Sequence, residues 1–331
     1  MELNLIDNLP PKAVERFRKE LSVLVPEGTK IGIGVSGGPD SLALLLLTAA
    51  ARPGEVEAAT VDHHLRDGSR AEAEMVAGVC EKLGIPHQIL DIEWKEKPTT
   101  GIQERARVRR YAELAKWAKE RGLKVLMTAH HANDQAETFV MRLRRGSGIG
   151  GLAGMRYSVR VPGSEEALVR PLLGWRRDQL EKLCELAGVT PAQDPSNEDD
   201  QFERVRIRKA LDSASEWLGS RAIAASASHL ADADRALTWA AAREWDRAAK
   251  IEDKKITLDP TGLPREIRRR LLSQAVNRLA TEGKRSPIRG RQSDRLIQAL
   301  SQGKTATLKG VQCVGGETWK FAEAPPRKAK A

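Results

Sequence analysis

The stretch Ile31–Ser41, IGIGVSGGPDS, joins a short aliphatic run to a turn, and the apolar run LALLLL (Leu42–Leu47) follows directly. This order predicts a strand, a tight loop and a helix. Gly37 and Gly38 let the backbone turn sharply and bring bare N–H groups to an anion, to which the helix N-terminus adds its positive dipole end. The sequence therefore predicts a nucleotide phosphate site in this loop.

The other residues of the loop have chemically distinct tasks. Ser36 and Ser41 supply hydroxyl donors, and Pro39 belongs to the same predicted ATP-binding loop. Asp40 cannot hold a phosphate directly, because both are anions. We expect Asp40 to bind a Mg²⁺ ion that bridges phosphate oxygens.

Two other nucleotide motifs compete with this interpretation. A Walker A loop is excluded, because the Gly303-Lys304-Thr305 sequence has Gln298 where the first glycine should stand. Gly32, Gly34 and Gly37 do spell the G-x-G-x-x-G of dinucleotide-binding folds, and Asp62 ends the next strand. However, Gly32 and Gly34 lie inside the predicted strand, so the pattern favours ATP over NAD.

Residues 30–145 alternate short apolar runs with amphipathic helical patterns, as in a doubly wound α/β domain with a parallel sheet. In such sheets ligands bind beyond the carboxyl ends of the strands, where Ser36, Asp62 and His130 fall. We therefore expect Asp62 to contact ATP. The predicted strands are Lys30–Val35, Val56–Asp62, His87–Ile92 and Lys124–Ala129, with helices near 41–51, 70–83, 102–121 and 134–145.

The rest of the chain predicts an extension and a second domain. A hairpin (Arg156–Val161, Leu168–Arg170) and a helix (Arg177–Ala187) extend the first domain to residue 215. Residues 216–331 predict a smaller, mainly helical domain that closes in a short β-meander. Its predicted helices are Ser220–Lys250, Pro264–Ala280 and Gly290–Leu300, and its predicted strands are Thr305–Lys309, Gln312–Val314 and Thr318–Phe321.

The charge of the chain is concentrated in its last third. Residues 1–200 hold 28 Lys and Arg against 30 Asp and Glu, a net charge of −2, whereas residues 201–331 hold 27 against 15, a net charge of +12. A basic lobe of this kind suits a polyanion such as RNA. A solvated, arginine-rich helical surface would give the same composition, so charge alone leaves both alternatives open.

The remaining composition indicates a cytoplasmic protein without metal-binding cysteines. Cys80, Cys184 and Cys313 lie far apart and form no C-x-x-C pair, which argues against a disulfide framework or a zinc site. The N-terminus has no signal-peptide pattern. The longest apolar run, Leu42 to Ala51, is half a membrane span, so we expect no membrane association.

SGGPDS resembles the pyrophosphate loop of the N-type ATP pyrophosphatases, the PP-loop superfamily with an adenine nucleotide alpha hydrolase-like fold. Further segments resemble the tRNA(Ile)-lysidine synthetases within that superfamily and cover most of residues 30–210. They are VDHHLRDGSRAEAE (Val61–Glu74), ARVRRY (Ala106–Tyr111), TAHHANDQAETFVMRLRRGSGIGGLAGM (Thr128–Met155), RPLL (Arg170–Leu173) and DPSNEDDQFERVRIR (Asp194–Arg208).

The third of these segments also predicts a catalytic site from its spacing. Asp134 and Glu137 are three residues apart, so on a helix they share a face and can point at one ligand, either Mg²⁺ or an ammonium group. A helix cap with solvated acids is the alternative. His130 and His131 could assist in proton transfer, although a histidine pair is more often structural.

Arginines complete the predicted site. Arg107 and Arg110 lie three apart on a helix face and could neutralise phosphate or steer an acidic substrate. The resemblance assigns a catalytic role to Arg110. Arg204, Arg206 and Arg208 are predicted contacts to tRNA phosphates.

One position departs from the family pattern. Most relatives carry two aspartates where this chain has Asn133-Asp134. The loss of one carboxylate puts a two-acid metal site in doubt. We expect Asp134 and Glu137 to suffice.

The resemblance implies a complete reaction. ATP would adenylate O2 of the wobble cytidine in an isoleucine tRNA with anticodon CAU, and the amine of L-lysine would then displace AMP at C2. Mg²⁺ would assist. Two rivals are a sulfur-transferring tRNA enzyme of the same superfamily and a catalytically inactive RNA-binding module; the cysteines lie outside the motifs, and Asp40 and Ser41 are intact.

Overall fold

The computed structural model describes residues 5–65, 68–94, 100–192, 199–281, 288 and 290–325. The chain forms two compact units, one of Met1–Arg145 with Ala153–Ser228 and the other of Gly146–Leu152 with His229–Ala331. The division of roles between residues 1–215 and 216–331 stays a prediction.

The first unit is an α/β domain. Its elements up to the end of α5 are α1 (Pro11–Leu24), β1 (Ile31–Gly34), α2 (Pro39–Ala51), β2 (Val56–Asp62), α3 (Ser69–Lys82), β3 (His87–Asp91), α4 (Ile102–Glu120), β4 (Val125–Met127) and α5 (Ala132–Arg144). After the short helix α6 (Ile149–Leu152) follow β5 (Ser158–Arg160), β6 (Ala167–Val169), α7 (Arg177–Leu186) and α8 (Glu203–Ser213).

The elements after α8 start with α9 (Ser220–Ala248), which begins in the first unit. They continue with β7 (Ala249–Glu252), β8 (Lys255–Leu258), α10 (Arg265–Leu279), α11 (Gly290–Ser301), β9 (Thr305–Leu308), β10 (Val311–Val314) and β11 (Trp319–Glu323). Among the described residues, no helix combines the length and the hydropathy that a membrane span requires.

The six-stranded sheet of the first unit has the order β3-β2-β1-β4-β6-β5. All neighbours pair in parallel except β5, which runs antiparallel at the edge. The predicted doubly wound parallel sheet is therefore confirmed. β1 lies between β2 and β4, where the order of the sheet reverses, so the loops after β1 and β4 leave the sheet side by side.

The glycines of β1 have a packing role. A Cβ atom on Gly32 would lie 2.8 Å from side-chain atoms of Leu126 and Trp117 and 2.9 Å from Leu123. A Cβ on Gly34 would lie 3.1 Å from Leu114. The absence of side chains at Gly32 and Gly34 thus allows large buried side chains to pack directly against β1. Both glycines lie within this strand and not in a phosphate-binding turn.

The second unit has its own core and its own sheet, of order β7-β8-β11-β10-β9 with antiparallel neighbours. The predicted meander corresponds to β9–β11. The hairpin of β7 and β8 was not predicted, because the sequence runs from an alanine-rich helix into a turn without glycine. Asp253 takes the left-handed conformation there, with φ of 50°.

We predict that Gly32→Ala destabilises the protein by about 1–3 kcal/mol, because the added methyl group overpacks the buried cluster around Trp117. Urea unfolding measures the change. Gly78 is the matched control: it lies in α3 with nothing within 4 Å of a built Cβ. Gly78→Ala should stabilise by about 0.5–1 kcal/mol. Equal midpoints for Gly32→Ala and the wild type would contradict the packing role.

Candidate active site

The loop Ser36–Ser41 connects β1 to α2, as predicted. Gly37 has a φ of 83°, and its carbonyl oxygen accepts a hydrogen bond from the Ala192 N–H at 2.9 Å. The Ser41 hydroxyl accepts from the Ser36 N–H at 3.1 Å and donates to the Gly38 carbonyl at 3.0 Å. Pro39 opens α2. The loop is thereby held in a fixed turn at the N-terminus of a buried helix, an arrangement suited to an anion.

Asp40 lies in the first turn of α2 and faces the element that follows β4. Its Oδ2 atom is 3.3 Å from Nε2 of His131, and its buried Oδ1 atom has no hydrogen-bond partner among the described residues. The same His131 nitrogen is 3.4 Å from Oδ2 of Asp134. The loop after β1 and the start of α5 therefore meet at one imidazole, as the sheet order requires.

The electrostatics of this contact favour ionised side chains. Burial alone would lower the pKa of His131, but Asp134 and Asp40 outweigh it and raise that pKa above its usual value. Burial likewise opposes ionisation of Asp134, yet His131 and Arg204 hold its pKa below the usual range. Both pKa shifts favour the ion-paired form of the contact between His131 and Asp134.

Asp134 has two tasks on α5. Its Oδ2 atom accepts the backbone N–H of His131 at 3.0 Å, so it caps the helix as the alternative prediction proposed. Its Oδ1 atom accepts a hydrogen bond from Arg204. The cap fixes the side chain in the orientation that brings it to His131, so the structural role and the proposed catalytic role are compatible.

Glu137, one turn further along α5, is 2% exposed and is held by two arginines. Arg204 donates to its Oε2 atom, and Arg208 donates to Oε1 at 2.7 Å. Arg204 and Arg208 lie four residues apart on α8, so they share one face of that helix. Burial opposes the charge of Arg204, but Asp134 and Glu137 raise its pKa above the usual value.

The three arginines predicted to contact tRNA, Arg204, Arg206 and Arg208, have different environments in the structure. α8 was not predicted as a helix, and its geometry separates Arg206 from the other two arginines. Arg206 is exposed and donates to the carbonyls of Asp200 and Gln201. Arg204 and Arg208 are engaged with buried carboxylates instead. The adjacent segment Asp194–Asn197 lies outside the described residues.

Arg110 and Asp62 lie apart from this group of contacts. Within the described ranges, neither forms an ion pair with Asp40, Asp134 or Glu137. Burial lowers the pKa of Arg110, and its Nε atom is buried without a hydrogen-bond partner.

Asp62 ends β2 and is 2% exposed. Its Oδ1 atom accepts from the His64 N–H at 2.9 Å and from the Ser69 hydroxyl at 2.7 Å. Burial would raise the pKa of Asp62, but these hydrogen bonds bring it below the usual value. The carboxylate therefore shapes the turn between β2 and α3, and its contact with ATP stays a prediction.

Asn133 points away from the acidic group. Its Oδ1 atom accepts a hydrogen bond from the backbone N–H of Arg177 at 3.2 Å. Arg177 is the first residue of α7. An amide and a carboxylate both present an oxygen acceptor, so either fits this position. The departure from the family pattern thus leaves Asp40, His131 and Asp134 in contact.

Sequence reasoning assigned no role to Arg170 and His63, although both belong to the segments of family resemblance. Arg170 follows β6 and is 6% exposed, with its Nε atom buried and without a partner. Burial and the neighbouring Arg110 lower the pKa of His63 to about 4. Spacing could not have grouped these residues, because they come from different strands of the sheet.

A family model described as the PP-loop domain matches residues 11–214. A tRNA(Ile)-lysidine synthase of Zymomonas mobilis subsp. mobilis is 45% identical, covering 92% of this chain and 91% of its own length. Another, from Novosphingobium aromaticivorans, is 47% identical, covering 96% of this chain and 95% of its own length.

A solved structure shares the fold. The U34-tRNA thiolase NcsA from Methanococcus maripaludis, determined with its [4Fe-4S] cluster, aligns with a TM-score of 0.56 at 20% identity. The alignment covers 66% of this chain and 77% of that one. At this identity the likeness concerns the fold alone. The cysteines of this chain, Cys80, Cys184 and Cys313, are buried, and burial raises the pKa of each thiol to about 12.

We predict that Asn133→Asp changes the catalytic rate less than about threefold, because the new carboxylate still accepts the first N–H of α7 and faces its positive dipole end. Asn133→Ala is the comparison variant. It removes the acceptor and should lower the free energy of unfolding by about 1 kcal/mol. Steady-state AMP release and thermal unfolding measure both. A gain of orders of magnitude in Asn133→Asp would show that the natural amide impairs the acidic group.

Proposed function

Because the chain belongs to the tRNA(Ile)-lysidine synthase (synthetase) family of PP-loop enzymes, we propose that it joins lysine to C2 of the wobble cytidine in an isoleucine tRNA of anticodon CAU. It is a tRNA-modifying enzyme of the ligase class that uses ATP. The observation that carries the assignment is similarity over nearly the whole chain, combined with the direct contact between Asp40 of the loop and the His131–Asp134 pair.

The first step transfers adenylate to the tRNA. O2 of the cytidine attacks the α-phosphorus of ATP, the bond to the β-phosphate oxygen breaks, and pyrophosphate leaves. The fixed loop Ser36–Ser41 and the N-terminus of α2 are placed to stabilise the charge that develops on pyrophosphate. The target base must leave its anticodon-loop stack to reach the site, which a single-stranded loop allows at modest cost.

The residues present fit a Mg²⁺ ion. Asp40 and Asp134 converge on one imidazole nitrogen, and the Oδ1 atom of Asp40 is buried without a hydrogen-bond partner. Carboxylate oxygens are the ligands that this hard cation prefers. When bound, the ion would supply charge neutralisation for the phosphates of ATP. Asp40 and Asp134 are the proposed ligands.

The second step forms the carbon–nitrogen bond. The ε-amine of lysine loses a proton and attacks C2, and the adenylated oxygen leaves with AMP. Asp134, Glu137 and His131 are the proposed groups that bind the amine or accept its proton. Both Glu137 oxygens already accept from Arg204 and Arg208, so Glu137 acts by orienting α8 and Asp134. Asp134 is the better placed carboxylate for the amine, because its side chain is 16% exposed against 2% for Glu137. His131, whose pKa is raised, accepts the proton of the amine when its imidazole is neutral.

The product decides the function. The purified enzyme, the CAU-anticodon isoleucine tRNA, ATP and isotopically labelled lysine should give labelled lysidine in nuclease digests analysed by mass spectrometry. Asp40→Asn should reduce AMP release by about two to three orders of magnitude, because it removes one of the two carboxylates proposed to hold the Mg²⁺ ion that would neutralise the reacting phosphates. Its melting temperature should stay near that of the wild type.

Two outcomes would contradict the proposal. Formation of a thionucleoside when a sulfur donor is added, or no modified cytidine under conditions where the enzyme consumes ATP, would refute lysine transfer. Undiminished turnover in Asp40→Asn would leave lysine transfer standing and refute the role of Asp40 in the phosphate site.

Docking of the tRNA is proposed for the basic residues after position 200. Trp239 on α9 is 64% exposed, and the Arg243 guanidinium lies 5.1 Å from its ring centroid. The two residues lie four apart, so they share one helix face. An exposed aromatic ring beside a guanidinium suits a stacked base and an adjacent phosphate. On α10, Glu266 forms ion pairs with Arg269 and Arg270, so the charges of these two arginines are partly neutralised within the helix.

The two side chains should affect tRNA binding differently. Arg243→Gln should weaken binding and reduce the slope of log affinity against log salt by about 0.7–0.9, because one phosphate contact is lost. Trp239→Ala should cost about 1–3 kcal/mol of binding and leave the slope unchanged. Filter binding between 50 and 300 mM salt (roughly the range over which such slopes are resolved) measures both. Arg18→Gln on α1 is the control. Wild-type binding in both α9 variants would exclude this helix face as an RNA contact.

A further inference from the structure

Three arginines surround Tyr111 in the first unit. The guanidinium carbons of Arg107 and Arg110 lie 5.1 and 5.5 Å from the centroid of the Tyr111 ring. Arg170, after β6, interacts electrostatically with the same tyrosine and with Arg107. We call Arg107, Arg110 and Arg170 the arginine pocket.

The arginine pocket lacks a negative partner from the protein. Among the described residues, no carboxylate forms an ion pair with any of the three guanidinium groups. Arg170 donates from Nη1 to the Arg156 carbonyl oxygen at 2.9 Å, while the Nε atoms of Arg110 and Arg170 are buried and make no hydrogen bond. A buried charge without a partner is costly, so this arrangement suits a bound anion.

The two histidines near the arginine pocket, His130 and His63, are neutral and do not change its charge. The Nδ1 atom of His130 lies 3.0 Å from Oγ1 of Thr128. Burial lowers the pKa of His130 to about 3, with Arg170, Arg110 and Arg107 contributing in the same direction against Asp134. His63 is likewise neutral near pH 7, for its pKa is about 4. Within the described part of the chain, the positive charge of the arginine pocket thus has no carboxylate partner.

The substrates of the proposed reaction offer a carboxylate and several phosphates. The phosphates of ATP belong to the loop after β1. Lysine carries an ammonium group at one end and a carboxylate at the other. His130 experiences the charges of both the arginine pocket and Asp134, so both groups lie within electrostatic range of the same imidazole. Guanidinium forks match a carboxylate in a bidentate manner.

We propose that Arg107, Arg110 and Arg170 form the subsite for the α-carboxylate of the lysine substrate, with its side-chain amine directed to Asp134 and His131. This inference rests on the proposed function. The subsite selects an α-amino acid over a simple amine of equal length. A phosphate oxygen of ATP or tRNA has the same oxyanion chemistry, so the experiment must separate these sources.

The test compares lysine with cadaverine, which has the same chain and amines but no carboxylate. The full-length enzyme is assayed with tRNA and ATP, and kcat/KM is determined for each amine by mass spectrometry of the nucleoside products. The wild type should prefer lysine by at least about 100-fold, since charge-assisted hydrogen bonds are lost with cadaverine. Arg170→Gln should reduce that preference to less than about tenfold. It should lower kcat/KM for lysine and leave kcat/KM for cadaverine nearly unchanged.

Arg170→Lys and Arg18→Gln complete the set. Arg170→Lys keeps the charge without the fork and should give an intermediate preference. Arg18→Gln removes an exposed arginine of α1 and should keep the wild-type preference. Unchanged cadaverine turnover shows that a variant is folded. If Arg170→Gln does not fold, the preference of Arg170→Lys decides.

A separate arm follows transfer of labelled adenylate to tRNA without any amine. If Arg170→Gln raises KM for ATP or slows this step while the lysine-to-cadaverine ratio stays at the wild-type value, the arginine pocket binds phosphate and the inference is overturned. An unchanged ratio with unchanged adenylate transfer overturns it as well. Failure of the wild type to adenylate tRNA would refute the proposed function itself, which is a distinguishable result.

Discussion

The buried carboxylate of Glu137 constrains the arrangement of the whole site. A carboxylate that is 2% exposed is stable only when it is paired, and here Arg204 and Arg208 satisfy both of its oxygens. Since both arginines lie on one face of α8, the pairing fixes α8 against α5. Arg204 also contacts Asp134, so the orientation of that side chain depends on the same bonds. Removing one partner would leave an uncompensated charge in the interior.

A chain of polar contacts links Glu137 to the loop Ser36–Ser41. Arg204 contacts Asp134, Asp134 and Asp40 share His131, and Asp40 belongs to the first turn of α2. The sheet makes this continuity feasible, because β1 and β4 are neighbours and their loops emerge together. The fold thus places the loop Ser36–Ser41, which is the proposed ATP site, in direct contact with the acidic group of α5, although about ninety residues separate them in sequence.

The sequence predicted the parts of the structure that depend on local patterns. The strand, loop and helix around Ser36–Ser41 and the alternation that follows were readable because apolar periodicity and glycine placement are local signals. α8 was missed because its polar sequence has a weak apolar face. Its function depends on Glu137, which lies far away in the chain. Helical spacing grouped Arg107 and Arg110 of the arginine pocket in advance. Arg170 could not be added to them, because its burial and its interaction with Tyr111 depend on tertiary structure.

Asn133 shows how a site can change its composition without losing its geometry. The Oδ1 atom that accepts the N–H of Arg177 is present in both asparagine and aspartate. Asparagine and aspartate codons differ by a single nucleotide, so a lineage can exchange the two residues in one mutational step without passing through an inactive intermediate. The position is therefore expected to drift neutrally during evolution, whereas Asp134, one residue later, has no such freedom because both of its oxygens are engaged.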